Sequence, residues 1–150
     1  MSENSGDTVE RRGGTSHLVE SMLTERNQLL SLLLQASELK ADSAEELDRE
    51  LLNEFCQVLV DYIAAGHFGL YERIVEGTER RRGVAELAVK LYPRIDETTQ
   101  VALAFNEKYD AERDDIDVSG LHEELSILGE ELTTRIEYED QLIQVLARRH

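Results

Sequence analysis

Apolar residues recur every three or four positions from Leu18 to Leu146 and rarely alternate with polar ones, a period that belongs to helices rather than strands. With a single proline and few runs of β-branched residues, the chain reads as all-α. Residues 1–13 are polar and are expected to form a flexible N-terminal segment, leaving 14–150 as one helical domain. Thr15 or Ser16 is placed to cap a first helix through LVESMLTERNQLLSLLLQASE, which loses its pattern near Lys40. Ser43 followed by Glu46 has the spacing of a capping box and starts a second helix that ends near Gly66. A shorter helix, HFGLYERIVEG, closes at Gly77 or just beyond, in the basic patch Arg80, Arg81, Arg82. After a break at Gly83, helical spacing lies on both sides of Pro93, where a kink or a new first turn is expected. The acidic stretch 110–117 is a loop. A last helix runs from Ser119 to about Ala147, with apolar residues at Leu121, Leu125, Leu128, Leu132, Ile136, Ile143 and Leu146. The expected architecture is an antiparallel bundle of four main helices plus a short one.

At about 100° per residue, Leu52, Phe55, Cys56, Leu59, Tyr62 and Ile63 share one side of the second helix, and Glu50, Glu54, Gln57 and Asp61 share the other. Cys56 is therefore core filling, and Asp61 faces outward. Two charged residues fall on apolar stripes: Arg26 among Leu18, Val19, Met22, Leu29, Leu30 and Leu33, and Glu139 between Ile136 and Ile143. A charge buried alone would cost several kcal/mol, so each needs a partner. His67 and Tyr71, four apart with Glu72 beside them, are the natural additions. The pattern thus predicts an internal polar cluster of Arg26, His67, Tyr71, Glu72, Arg135 and Glu139 that fixes helix register. An inward Glu with an inward His resembles the carboxylate and histidine ligands of helical metal sites. Only His67 of the four histidines is well placed, however, so no metal and no cofactor are expected. Neither a second carboxylate nor a nucleophile with an oxyanion site is evident, so no catalytic residue is assigned.

Composition narrows the partners. Of 150 residues, 32 are Asp or Glu and 16 are Lys or Arg, a net charge of −16. Such a surface repels nucleic acid and anionic lipid while steering basic proteins toward it; an acidic pI near 4.6 is also what adaptation to salt produces. One cysteine excludes an internal disulfide and suits a reducing compartment. No stretch approaches the roughly 18 apolar residues of a membrane span. A cytoplasmic protein is expected, a monomer by self-repulsion, with a homodimer as the alternative through a hydrophobic seam.

The run FCQVLVDYIAAGHFGLYERI, from Phe55 to Ile74, resembles the central motif of the Rsd/AlgQ family of bacterial anti-sigma factors. Further agreement lies in ERRGG (Glu10 to Gly14) leading into HLVESMLTER, in LYPRID (Leu91 to Asp96) with VALAFN (Val101 to Asn106), and in LGEELTTRIEYEDQLIQVL (Leu128 to Leu146). The YPRI and AFN words resemble the AlgQ branch more than the enteric Rsd branch. The resemblance implies a helical bundle that is not an enzyme and that binds region 4 of the primary sigma factor of RNA polymerase. Transcription would thereby be regulated in slow growth or stationary phase. An acidic face is complementary to a module built to hold DNA phosphates. Asp61 matches the family's aspartate in LVDY, a position that the resemblance implies for sigma contact, and Leu18 matches a family leucine near the same surface. Glu54 and Gln57 share the outward face with Asp61 and complete the expected sigma-binding set. Where family members usually carry aspartate, arginine, tryptophan and leucine, this chain has Glu20, Ser21, Met22 and Leu23. The family also implies metabolic signalling proteins as further partners, and the alternative function is an adaptor of alarmone metabolism that binds a ligand in its polar cavity.

Overall fold

The computed structural model describes residues 2–39, 47–75, 82–110 and 116–147, with side chains described from His17 onward in the first of these segments. The chain is all-α as expected, with helices α1 (Ser2–Ser37), α2 (Arg49–Gly66), α3 (Glu72–Val75), α4 (Arg82–Lys108) and α5 (Leu121–Ala147). A π-helical turn spans His67–Tyr71, and a 3-10 turn spans Val118–Gly120. The long helices form a four-sided bundle in which α1 packs along α2 and α4 along α5. The α2–α4 and α1–α5 seams are slighter.

Neighbouring helices run antiparallel. Arg26 reaches Tyr62 while Leu18, farther toward the N-terminus, meets Gly69. Phe55 stacks edge-on against Phe105, and Tyr71 does the same against Tyr92. Leu29, Leu52, Phe55, Leu59, Leu125, Leu128 and Leu132 fill the centre of the bundle. Each such side chain stabilises the fold by about 1.5–3 kcal/mol through apolar burial.

Several boundaries differ from those the pattern predicts. The first helix starts at Ser2 rather than at Thr15 or Ser16, because extending a helix already held by packing needs only one more hydrogen bond per residue. The capping box at Ser43 and Glu46 lies outside the described residues, as do Gly77 and most of the loop expected at 110–117. The described cap of α2 is Asp48, whose Oδ1 accepts from the Leu51 amide at 3.0 Å. At the start of α5 Asp117 takes the same part, accepting from the amide and hydroxyl of Ser119 at 3.0 and 2.7 Å.

The second α-helix ends at Gly66, as expected, yet the chain does not leave helical conformation there. The glycine's φ of −63° and ψ of −46° are helical, and the chain runs on through the π turn into α3. Likewise α4 begins at Arg82, without a break at Gly83, and passes through Pro93. That proline lies on an exposed side of the helix, so water can take the bond that its missing amide denies to the Val89 carbonyl.

The last helix follows Leu121, Leu125, Leu128 and Leu132 as predicted and then departs from the expected set. Its buried stripe continues through Arg135, Glu139 and Leu142, while Ile136 and Ile143 are only half-buried at its flank. Steps of four and three alternate throughout, the repeat of about 3.5 residues that keeps one seam facing its neighbours. Gly129 lies beside this stripe, where an added Cβ would meet Leu33 Cδ2 at 3.7 Å, an ordinary contact. Gly129→Ala is therefore expected to stabilise the protein by up to about 1 kcal/mol through helix propensity, read as a higher urea midpoint.

Candidate functional site

The centre of the bundle is polar where its apolar pattern lapses. Glu139 of α5 is fully buried, and each of its carboxylate oxygens receives two donors. Oε1 accepts from the Tyr62 hydroxyl and from Arg26 Nη2 at 3.3 Å. Oε2 accepts from the Tyr71 hydroxyl at 2.8 Å and from Arg135 Nε at 3.1 Å. Arg26 also donates through Nε to the Tyr62 oxygen at 3.1 Å and through Nη1 to Asp140 Oδ1 at 2.7 Å. Arg135 Nη1 reaches Thr98 and Thr99 at 3.2 and 2.7 Å, and both threonines donate onward to the Ile95 carbonyl. One network thus ties α1, α2, the π turn, α4 and α5 together, with two guanidinium groups balanced by two carboxylates.

Burial pushes the phenols of Tyr62 and Tyr71 above their ordinary range, and the charge of Glu139 adds to the effect. Both are thus protonated donors at neutral pH. Burial alone would lower the pKa of Arg26, but Tyr62 and Asp140 outweigh it and raise the value. With both lone pairs on each oxygen occupied, Glu139 has no acceptor site left for a substrate proton or a metal ion. The arrangement suits a clamp on helix register better than chemistry.

Of the residues expected in this cluster, Arg26, Tyr71, Arg135 and Glu139 converge. His67 and Glu72 do not. His67 is exposed, its ring edge-on to Phe68 at 4.9 Å, and Glu72 is half-buried and outside the network among the described residues. The cause is the π turn. In an unbroken α-helix Tyr71, nine residues after Tyr62, would lie about 180° away from it, whereas the extra residue of a π turn takes up roughly one residue's rotation. Tyr71 is thereby swung inward, and the four-residue pairing of His67 with Tyr71 is lost.

Tyr62, Thr98, Thr99 and Asp140 are the members that the pattern did not supply. A phenol on an apolar stripe needs a partner for its hydroxyl, and Thr98 falls in step with Leu91, Ile95, Ala102 and Phe105 of the buried face of α4. Both are signals that the sequence contains. The two small side chains at the site also matter: a Cβ on Gly66 would stand 2.9 Å from Glu139 Oε2 and 3.3 Å from Arg135 Nη2, so the close approach needs glycine, and Cys56 fills core space nearer Tyr109. Its thiol, buried and close to the charge of Asp110, is pushed up to about 12, far from the thiolate that reactivity requires.

The outward face of α2 is a second candidate. Glu50, Glu54, Gln57 and Asp61 are all exposed, and Asp61 Oδ1 accepts from Gln57 Nε2 at 3.3 Å. Leu18 is half-buried against Gly69 at the π turn, eight positions beyond Asp61 and hence roughly 12 Å along the bundle. Asp61, Glu54 and Gln57 are thus brought together, and Leu18 stands apart from them. Of the residues at which the first helix is expected to depart from the resembled pattern, Glu20 and Ser21 are exposed, whereas Met22 is 1% exposed. The methionine therefore belongs to the packing rather than to the outer surface. Among the described residues no helix is long and apolar enough to cross a membrane.

Comparison with known proteins gives these surfaces a context. The family model described as "Regulator of RNA polymerase sigma(70) subunit, Rsd/AlgQ" matches residues 1–147. A Regulator of sigma D from Yersinia enterocolitica is 34% identical over 140 residues, covering 91% of this chain and 84% of its relative. A protein of the same name from an Enterobacter species is 37% identical over 141 residues, 90% of this chain and 83% of the relative.

Proposed function

This chain belongs to the Rsd/AlgQ family of regulators of the RNA polymerase sigma(70) subunit, and from that membership we propose that it is an anti-sigma factor whose partner is the primary sigma factor. The observation that carries this reading is the match of the family model along residues 1–147. Physical support comes from the sign of the charge. A net charge of −16 with an exposed acidic row on α2 is complementary to sigma region 4, a module that holds DNA phosphates with basic groups. Asp61, Glu54 and Gln57 form the contact row, and Leu18, roughly 12 Å farther along the bundle, makes a separate contact. Carboxylates on a rigid helix there compete for the groups that region 4 uses on the promoter and on core polymerase.

The protein acts in the cytoplasm as a monomer, without enzymatic activity, without nucleic acid and without a membrane. The network around Glu139 supports a structural rather than a chemical part for that carboxylate, because its acceptor sites are filled from within the chain.

Calorimetric titration of the whole protein with the host's primary sigma factor, and with isolated region 4, tests the reading at two salt concentrations. One-to-one binding that weakens with salt is expected, since exposed charges are screened. Asp61→Arg should weaken the complex about tenfold or more while the exposed site leaves folding unchanged. Undiminished binding by the folded variant would remove Asp61 from the interface.

A further inference from the structure

The seam between α2 and α4 is open, and its edges are apolar. A groove of about 330 Å³ lies there, walled by Val60 and Ala64 of α2 and by Tyr92, Asp96, Thr99 and Leu103 of α4. Phe68 and Leu103 are 64% and 44% exposed, and Tyr92 is 43% exposed, although all three line the same depression. Large apolar side chains grouped at an edge mark a surface awaiting a partner more often than isolated ones do.

The spacing on α4 identifies the kind of partner. Tyr92, Asp96, Thr99 and Leu103 follow one another at steps of four, three and four, the a and d pattern by which one helix receives the side chains of another. α4 turns a different face, through Arg94 and Glu131 at 2.8 Å, toward α5. From Tyr92 to Leu103 the groove runs about 16 Å, or three helical turns. It therefore has the length and shape for an added helix lying between α2 and α4, the helix-in-groove mode of recognition.

Charge decides its character. Asp96 stands within the groove, and Asp61, next in sequence to Val60, is exposed on α2. Among the described lining residues the one permanent cation is Arg135 at the floor, already engaged with Glu139, Thr98 and Thr99. Exposed apolar edges with the carboxylates of Asp96 and Asp61 beside them fit an amphipathic helix with basic flanks, and the net charge disfavours lipid and nucleic acid as occupants.

We infer that the α2–α4 groove receives one basic amphipathic helix of the sigma partner, its apolar side against Phe68, Tyr92 and Leu103 and its basic flank against Asp61 and Asp96. This inference rests on the anti-sigma reading, and it extends the acidic row of α2 into a continuous binding surface.

The test is calorimetric titration of full-length primary sigma factor into the whole protein and into Phe68→Ser, Leu103→Ser and the double variant, with circular dichroism and thermal midpoints confirming that each is folded. The double variant should bind about tenfold more weakly or worse, as loss of two apolar anchors implies. Hydrogen exchange should show protection of residues 92–103 when sigma is bound. Wild-type binding that the folded variants match, without protection there, overturns the groove and leaves the anti-sigma reading standing. Absence of wild-type binding overturns that reading and the sigma helix with it. Dimerisation of the free protein that Leu103→Ser abolishes would assign the groove to a second copy, and would equally overturn the inference.

Discussion

Glu139→Ala is expected to lower the unfolding free energy by about 3–5 kcal/mol, the usual consequence of removing one partner from a buried ionic group. Arg26 and Arg135 are 7% and 1% exposed, and both lose their shared carboxylate in this variant. Asp140 still reaches Arg26, and the threonines still reach Arg135, but the threonines carry no charge. The hydroxyls of Tyr62 and Tyr71 lose their acceptor as well. Against a total stability of about 5–15 kcal/mol for a domain of ordinary stability, this is a large fraction, and urea unfolding followed by circular dichroism will measure it. The companion variant replaces Arg26, Arg135 and Glu139 together by apolar residues of similar volume. If the network costs as much to desolvate as it returns, that variant recovers most of the loss. Its thermal transition will then show what the polar groups contribute to cooperativity. A single Glu139→Ala variant as stable as the wild type would show that the carboxylate does not hold the two guanidinium groups.

Gly66→Ala is expected to destabilise the protein by roughly 1–3 kcal/mol, as overpacking does, in spite of the gain of about 1 kcal/mol that alanine brings to a helix. Backbone strain is not the cause, because φ is −63° and ψ is −46°. The cause is space: the new Cβ would lie 2.9 Å from Glu139 Oε2 and 3.3 Å from Arg135 Nη2. These atoms belong to long side chains, which would ordinarily move aside. Here the carboxylate is held by four donors and the guanidinium by both an acceptor on α5 and the threonines of α4, so a shift of one disturbs all. The contrast with Gly129→Ala, whose Cβ meets nothing closer than 3.7 Å, makes the pair informative. Opposite signs in their urea midpoints support a rigid network, and a stabilised Gly66→Ala protein would show that it yields cheaply.

Much of the outer arrangement was legible along the chain. Leu52, Phe55, Cys56, Leu59, Tyr62 and Ile63 are buried, and Glu50, Glu54, Gln57 and Asp61 are exposed, as the periodicity of α2 requires. Arg26 and Glu139 were conspicuous because a charge on an apolar stripe must find a partner. The partner set was harder to read. Unbroken helical spacing groups His67 with Tyr71, and the π turn separates them. Thr98 lies on the apolar stripe of α4, whereas Asp140 and Thr99 are polar residues at unremarkable positions, and only the meeting of three helices brings them to the guanidinium groups.

The helices, the faces they bury, the acidic field and the family to which the chain belongs are all legible along the chain, because periodicity, charge and a run of matched motifs are properties of one dimension. Tertiary structure alone decided the inward turn of Tyr71, the fourfold coordination of Glu139, the need for glycine at position 66 and the open groove between α2 and α4. Each of these depends on rotation about a helix axis and on distances between segments far apart in the chain. A single extra residue in one turn changes the first by about a quarter of a revolution or more, and no local pattern fixes the rest.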